Sequence, residues 1–229
     1  MTQENKTFYK NLVAMVLPMA IQNLLASLVS ASDALMLGLL NQESLSAISL
    51  ATRVNFVASI IIFGIISGTS VLAAQYWGKK DKESVERVLG ITLRYTILGT
   101  GLLFLLCVFT PRLLMKFFTN DTRLIELGVP YLRIVGVSYL FMAISQTYLT
   151  VMKSTGRVAR SSVYGSVAVV LNILLNALLI FGLFGLPKLE IIGAALATTI
   201  SRGVELLLTL IENRKKDVCR MRPKHLLGS

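Results

Sequence analysis

The fold is decided by SSVYGSVAVVLNILLNALLIFGLFGLP, residues 161–187, a stretch without Asp, Glu, Lys or Arg. About 20 mostly apolar residues in a helix cross a bilayer, so this stretch is long enough to do so once. Uncharged stretches of comparable length recur along the chain, at residues 11–32, 54–77, 95–111 and 134–152. A further apolar stretch, 191–211, contains Arg202 and Glu205, whose three-residue spacing lets them neutralise each other on one helix face.

These stretches predict an all-α, polytopic membrane protein with six transmembrane helices. The predicted spans are residues 11–38, 48–77, 89–110, 125–152, 161–184 and 191–211. Residues 1–212 are expected to form one six-helix lobe, and residues 213–229 a basic cytoplasmic tail. The composition excludes an ordinary soluble domain, because 54% of the 229 residues are hydrophobic and 15% are charged, against roughly 25% charged residues in globular proteins.

The distribution of basic residues predicts the orientation. The 23 Lys and Arg residues outnumber the 12 Asp and Glu residues, for a net charge of +11. With the N-terminus in the cytoplasm, most of these cations fall on the cytoplasmic side, and the opposite loops hold only Arg112, Lys116, Arg123 and Lys188. Both termini are therefore predicted to face the cytoplasm, in a multi-pass protein of the plasma membrane. The basic residues are spread over several loops beside the spans, where they can interact with the headgroups of the lipid bilayer. They do not form a single basic patch, so no nucleic-acid partner is expected.

The sequence gives no sign of enzyme chemistry. Cys107 and Cys219 are too far apart for a disulfide scaffold or a zinc module, and the single histidine, His225, lies in the basic tail. The spans contain no paired carboxylates and no glycine loop that would hold phosphate. We expect no enzyme and no cofactor. Gly64 and Gly68 form a G-x-x-x-G pattern that predicts close helix packing.

Polar groups inside the spans are the candidates for function, because an acidic residue at a helix centre costs about 2.5–3.5 kcal/mol on insertion scales. Asp33 lies roughly 33 Å along the first span, in the outer part of the membrane. Asn172 and Asn176 share one face of the fifth span. The side chains of Asp33, Asn172 and Asn176 could therefore meet in the outer half of the membrane. A desolvated carboxyl there could exchange a proton or help to hold Na⁺. Pro18 should bend the first span.

Structural roles remain open for the same residues. Asp33 could be a solvated group near a helix end, and the two asparagines could simply join helices by hydrogen bonds. Arg133 could pair with Glu126 or with Asp33, and nothing in the sequence decides between them.

Four stretches resemble one family of transporters. They are SASDALMLGLL (30–40), SGTSVLAAQYWGKKD (67–81), MKSTGRVARSSVYG (152–165) and LNILLNALLIFGLFGLPKLEIIGAALATTIS (171–201). Their order and spacing are similar to those of the multidrug and toxic compound extrusion (MATE) transporters, over essentially the whole chain. The resemblance implies an antiporter coupled to H⁺ or Na⁺ that exports amphipathic, often cationic, organic compounds by alternating access.

The resemblance also implies a coupling site. In one branch of the family this site is built from an Asp on the first helix and an Asn-x-x-x-Asp pair on the fifth, with a bend at a proline. Asp33, Asn172 and Pro18 match three of these positions, whereas Asn176 stands where that branch has its second Asp. Family members have two six-helix lobes, and this chain matches the first, with a tail that resembles the linker. We expect either a missing second lobe or a parallel homodimer.

Two other classes of function remain open. A flippase for a lipid-linked saccharide has a similar architecture, and would place basic residues in its cavity; Arg53, Arg133 and Arg202 are the candidates. In a non-transporting assembly subunit, Asp33 and the asparagine pair would only hold helices together.

Overall fold

Helices form every regular element in the part of the chain that the structure, a computed structural model, describes. That part comprises residues 3–38, 42–185, 187–215 and 219–221; of these, the side chains at 3–8, 11, 30, 33, 34 and 37 are not described. The α-helices are α1 (Gln3–Gly38), α2 (Gln42–Gly78), α3 (Lys82–Phe109), α4 (Pro111–Phe118), α5 (Thr122–Ser154), α6 (Val158–Phe181) and α7 (Glu190–Asn213). A short 3₁₀ turn, Leu183–Gly185, follows α6.

Six of these helices are long and apolar enough to cross a membrane, which confirms the predicted fold class. All six begin earlier than the predicted spans, because polar first turns continue the helix beyond its apolar centre. In α3, for example, Asp81 is the N-cap residue, and its Oδ1 accepts a hydrogen bond of 3.0 Å from the Ser84 backbone N–H. Such a cap satisfies a backbone donor that would otherwise lack a partner.

The short helix α4 was not predicted. Pro111 opens it, as proline often does at the first helical position. Met115 is fully buried beneath Gly128 of α5, whereas Leu113 and Phe117 are exposed. This helix is amphipathic, so it has no run of apolar residues long enough to be detected by the length criterion that found the six spans.

Five helices form a ring. Around the ring, α1 packs along α6, α6 along α7, α7 along α5, and α5 along α2. The ring closes where α2 meets α1, and this contact is much smaller than the other four. The third helix, α3, lies outside the ring against α2 and α5. No described side chain of α1 is buried, so α1 is the least enclosed helix of the lobe.

Close helix packing occurs at other glycines than those predicted. No atom lies within 4 Å of the position that a Cβ would take at Gly64 or Gly68, so the prediction for the G-x-x-x-G pattern was wrong within this lobe. A Cβ at Gly193 would instead lie 2.6 Å from the Leu179 carbonyl oxygen, and one at Gly165 would collide with the Gln22 side chain. The pattern failed because α2 turns this face away from its neighbours.

Candidate functional site

A cavity of about 430 Å³ lies between the five helices of the ring. Ala26 and Val29 of α1 contribute apolar surface, and every other helix of the ring contributes polar groups. The polar side chains that line the cavity are Ser49, Thr52, Asn55, Tyr131, Asn172, Thr198, Ser201 and Arg202. The cavity therefore offers mostly neutral oxygen and nitrogen atoms inside a lobe whose surface is largely apolar.

The asparagine pair of α6 reaches this cavity. Asn172 lines the cavity, and Asn176 lies one turn further along the helix, 1% exposed. The Asn176 Nδ2 donates to the Asn172 Oδ1 over 3.1 Å. The Asn172 Nδ2 lies 3.4 Å from the Ser201 Oγ and 3.5 Å from the Thr198 Oγ1, so its contacts with α7 are long hydrogen bonds. Asn172 therefore links α6 to α7 weakly through these two contacts, because hydrogen bonds of this length are beyond the usual range.

Asp33 belongs to α1, but its side chain lies outside the described residues. The described α1 residues that line the cavity are Ala26 and Val29, and position 33 follows Val29 by about one helical turn. Pro18 lies inside α1, which continues through it as a single helix. It lines a different concavity, on the outer side of α1 and α6.

Arg202 brings a charge to the cavity. Its Nη1 lies 2.8 Å from the Oε2 of Glu205, as the three-residue spacing predicted. Glu205 is fully buried, and its Oε1 accepts a 2.9 Å hydrogen bond from the Nε2 of Gln146 on α5. The carboxylate is therefore satisfied on both oxygens, and the guanidinium keeps part of its surface at the cavity.

Arg53 and Arg133 do not line the cavity. Both side chains are exposed, on α2 and α5 respectively. No ion pair joins Arg133 to Glu126 or to any other described side chain. Of the three arginines considered for a flippase, only Arg202 faces this cavity.

Several polar residues of the cavity were missed by the sequence analysis. Ser49, Thr52 and Asn55 recur at three-residue intervals on one face of α2, and Thr198 and Ser201 do so on α7. Small hydroxyl residues are common in membrane helices, so the signal was this helical spacing rather than residue type. Among the described residues no three His, Cys, Asp or Glu side chains come together. A cation in the cavity would thus depend on neutral oxygens and on whatever Asp33 adds.

A second polar cluster, also missed, lies at one end of the lobe. The buried carboxylate of Glu212 on α7 contacts Arg157 and Arg160 at 3.7 and 3.3 Å, and pairs with Lys215. Its Oε2 accepts a 2.7 Å hydrogen bond from the Tyr164 hydroxyl. This cluster ties the turn between α5 and α6 to the end of α7.

The described residues beyond α7 fold back onto the same end. The Arg220 backbone N–H donates to the Glu86 Oε1 over 3.0 Å, and the Met221 N–H to the Asn213 Oδ1 over 2.7 Å. Cys219 is buried among α2, α3 and α5, and desolvation, followed by the charge of Glu86, raises the pKa of its thiol. The thiol therefore stays protonated and unreactive at neutral pH.

The ring of long apolar helices around a polar cavity defines a multi-pass membrane protein with an internal polar site. The MatE family profile matches residues 18–178, and the chain belongs to this family. A curated relative, the "Probable multidrug resistance protein YoeA" of Bacillus subtilis, is 30% identical over 210 residues, which cover 91% of this chain and 45% of the relative.

Two solved structures share the fold. One is described as "Crystal structure of MATE in the bent conformation" (TM-score 0.81, 22% identity, 93% of this chain and 47% of that one). The other is described as "Crystal structure of MATE in the straight conformation" (TM-score 0.82, 23% identity, 92% and 46%). The chain thus spans about half the length of the relatives that it matches.

Proposed function

We propose that this chain forms one lobe of a cation-coupled exporter of amphipathic organic cations, working by alternating access. The observation that carries the proposal is the polar cavity inside the ring, lined by Asn172, in a lobe of the MatE family. The name of YoeA, a multidrug resistance protein, supports the substrate class. Membership of the MatE family also favours transport over enzyme catalysis.

The coupling group in this proposal is Asp33, with Asn172 and Asn176 as neutral partners. A carboxyl that faces a desolvated cavity has a raised affinity for protons. The same carboxylate with amide and hydroxyl oxygens can also hold Na⁺, which prefers oxygen ligands as other hard cations do. The weak hydrogen bonds of Asn172 to α7 would let its amide turn toward an ion at little cost.

The moving element in this proposal is α1. It has no buried described side chain, and its contact with α2 is the smallest in the ring. Elements with few buried contacts open at low free-energy cost. Pro18 removes one backbone hydrogen bond from α1, which gives the helix a place to bend. Protonation or ion binding at Asp33 would then bias α1 between two arrangements.

Transport across the membrane requires a partner in this proposal, either a second lobe or a second copy of the chain. Six spans return the chain to its starting side, so a second copy would insert in parallel. The turn at Arg157 and the residues around Arg220 lie at the same end of the lobe. Arg157 contacts Glu212 near the end of α7, and the Arg220 backbone contacts Glu86 near the start of α3. This concentration of basic residues supports termini in the cytoplasm of a plasma-membrane protein.

The experiment is efflux of a fluorescent organic cation from liposomes that contain the chain, driven by an imposed pH or Na⁺ gradient. Asp33→Asn should abolish gradient-driven efflux, and Asp121→Asn is the matched control, because Asp121 is an exposed helix cap outside the cavity. Equal efflux from both variants would contradict the role of Asp33. An efflux rate that depends on neither the pH gradient nor the Na⁺ gradient would contradict ion coupling.

The two alternatives predict different results in liposomes that contain the chain. A flippase should translocate a lipid-linked pyrophosphate and lose this activity in Arg202→Gln, but the cavity holds only one of the three candidate arginines. An assembly subunit should show no transport in any reconstitution, including one with a supplied second lobe. Folded protein that is inactive alone but active with a second lobe would identify the chain as a half-transporter.

A further inference from the structure

An apolar groove runs along the outside of the lobe, where α1 packs on α6. Its volume is about 680 Å³, and Leu17 and Ile21 of α1 and Val167 and Leu174 of α6 line it. Val167 and Leu174 are 43% and 56% exposed, so the groove opens to the surroundings of the lobe rather than to the polar cavity. An exposed apolar surface of this kind suits lipid tails.

A basic pocket adjoins one end of the apolar groove. Gly156, Arg157, Arg160 and Lys215 line this pocket, which has a volume of about 400 Å³. Ala159 lines both the groove and the pocket, so the two are continuous.

The exposed charge of the basic pocket is positive. Arg160 and Lys215 both pair with the carboxylate of Glu212, which leaves an excess of one positive charge among these three side chains. Glu212 is fully buried, whereas the side chains of Arg160 and Lys215 are 60% and 49% exposed. An anion that approaches from outside would therefore meet the cations and not the carboxylate.

Between the charged end and the apolar end lies a hydroxyl without a partner. Ser162 lines the groove and is 4% exposed, and its Oγ has no hydrogen-bond partner among the described residues. A buried hydroxyl without a partner is unfavourable by about 1–3 kcal/mol. This site suits a ligand with a polar acceptor about one helical turn from its charged group.

The dimensions match one leaflet. Ala159 to Leu174 spans 15 residues of α6, or roughly 22 Å, which is about half of the 40–45 Å thickness of a bilayer with its headgroups. We infer that the groove and the pocket together bind one anionic phospholipid. Its phosphate lies against Arg160 and Lys215, its ester region at Ser162, and an acyl chain along Val167 to Leu174.

The test is native mass spectrometry of the full chain in detergent, titrated with dioleoylphosphatidylglycerol, dioleoylphosphatidylcholine or inorganic phosphate. One phosphatidylglycerol per chain should bind in preference to phosphatidylcholine. The double variant Arg160→Gln, Lys215→Gln should bind phosphatidylglycerol about 25-fold more weakly, since each basic residue near an anionic lipid contributes about fivefold. Val167→Phe should weaken the binding of the same lipid by filling the groove without touching the charges.

Two matched controls make the result specific. Arg214→Gln removes an exposed cation beside Lys215 that lines neither the groove nor the pocket, and Val71→Phe enlarges an exposed residue of α2. Both should bind phosphatidylglycerol as the unchanged chain does. Equal weakening by Arg214→Gln would overturn the site in favour of general attraction to charge. Equal binding of the two lipids, displacement by inorganic phosphate alone, or unaltered binding in Val167→Phe would also overturn it.

Discussion

Asn176 donates a hydrogen bond of 3.1 Å to Asn172 on the preceding turn of α6. Asn172 then reaches Ser201 and Thr198 of α7 only through contacts of 3.4 and 3.5 Å. The strong bond is thus within one helix, and the weak ones are between helices. These two contacts of Asn172 with α7 therefore contribute little to helix association, whereas the bond from Asn176 keeps the Asn172 amide oriented at the cavity wall.

This geometry separates the two interpretations of the asparagine pair. We predict that Asn172→Ala lowers the melting temperature in detergent by only a few degrees, because side-chain hydrogen bonds between membrane helices contribute about 0.6 kcal/mol on average and those of Asn172 to α7 are long. Gradient-driven efflux should fall at least tenfold, because the cavity loses an ion-facing amide. A large loss of stability with efflux unchanged per folded molecule would favour a structural role.

Glu212 should be the carboxylate whose removal most destabilises the lobe. Breaking a buried ion pair costs about 3–5 kcal/mol, and the partial exposure of Arg160 and Lys215 reduces this to roughly 2 kcal/mol for Glu212→Gln. The melting temperature should fall by roughly 4–8 °C. The control is Glu43→Gln. The Glu43 Oε2 lies 2.9 Å from the Nε of Arg123, whose side chain is 73% exposed. Loss of this exposed ion pair should lower the free energy of unfolding by less than about 1 kcal/mol. Equal effects of the two variants would show that the cluster is not cooperative.

Three glycines should respond differently to alanine. Gly193→Ala should destabilise the lobe by about 1–3 kcal/mol, because its Cβ would lie 2.6 Å from the backbone oxygen of Leu179, which cannot rotate away. Gly165→Ala should cost less, since the Gln22 side chain can move. Gly64→Ala should be neutral or stabilising by up to about 1 kcal/mol, through helix propensity. Thermal unfolding of the three variants in one detergent tests this order, and a Gly64→Ala variant as unstable as Gly193→Ala would contradict it.

The cap of α3 should give the lobe a stability that depends on pH. Hydrogen bonds from the Ser84 hydroxyl and backbone N–H, together with the charge of Arg87, hold the pKa of Asp81 below its usual range. The contribution of this carboxylate is therefore present above its unfolded pKa, about 3.9, and is lost as the pH falls through the lower folded value. The melting-temperature difference between the unchanged chain and Asp81→Ala should be full at pH 7 and shrink below about pH 4.

A variant with a neutral cap serves as the control for this pH effect. Asp81→Asn keeps an acceptor for the Ser84 N–H and should stay close to the unchanged chain at pH 7. The melting-temperature difference between Asp81→Asn and Asp81→Ala should stay the same as the pH falls from 7 to below 4, because neither side chain titrates there. A difference between the Asp81→Ala variant and the unchanged chain that stays constant as the pH falls well below 4 would show that the charge of Asp81 is not involved.

The six spans could be predicted because a helix needs about 20 mostly apolar residues to cross the bilayer. Stretches of about this length with few or no charged residues can be found directly in the sequence. The amphipathic α4 escaped this criterion because it has only eight residues, of which Pro111 and Met115 are buried and Arg112 and Lys116 are charged. The ion pair of Arg202 with Glu205 followed from spacing on one helix. The Glu212 cluster did not, because its cations come from the turn before α6, from the first turn of α6 and from beyond the end of α7. Contacts between helices depend on how each helix is rotated about its own axis. The prediction of close packing at Gly64 and Gly68 failed for this reason, because that face of α2 has no neighbour among the described residues of the lobe.

The packing of α1 also constrains how the lobe is made. Its main neighbour, α6, follows it by some 120 residues of chain, since α1 ends at Gly38 and α6 begins at Val158. In a chain inserted from its N-terminus, the first helix must therefore wait in the bilayer, surrounded by lipid, while four more helices are synthesised. The absence of charge from residues 11–32 is what a helix needs to be stable alone in hydrocarbon during that interval.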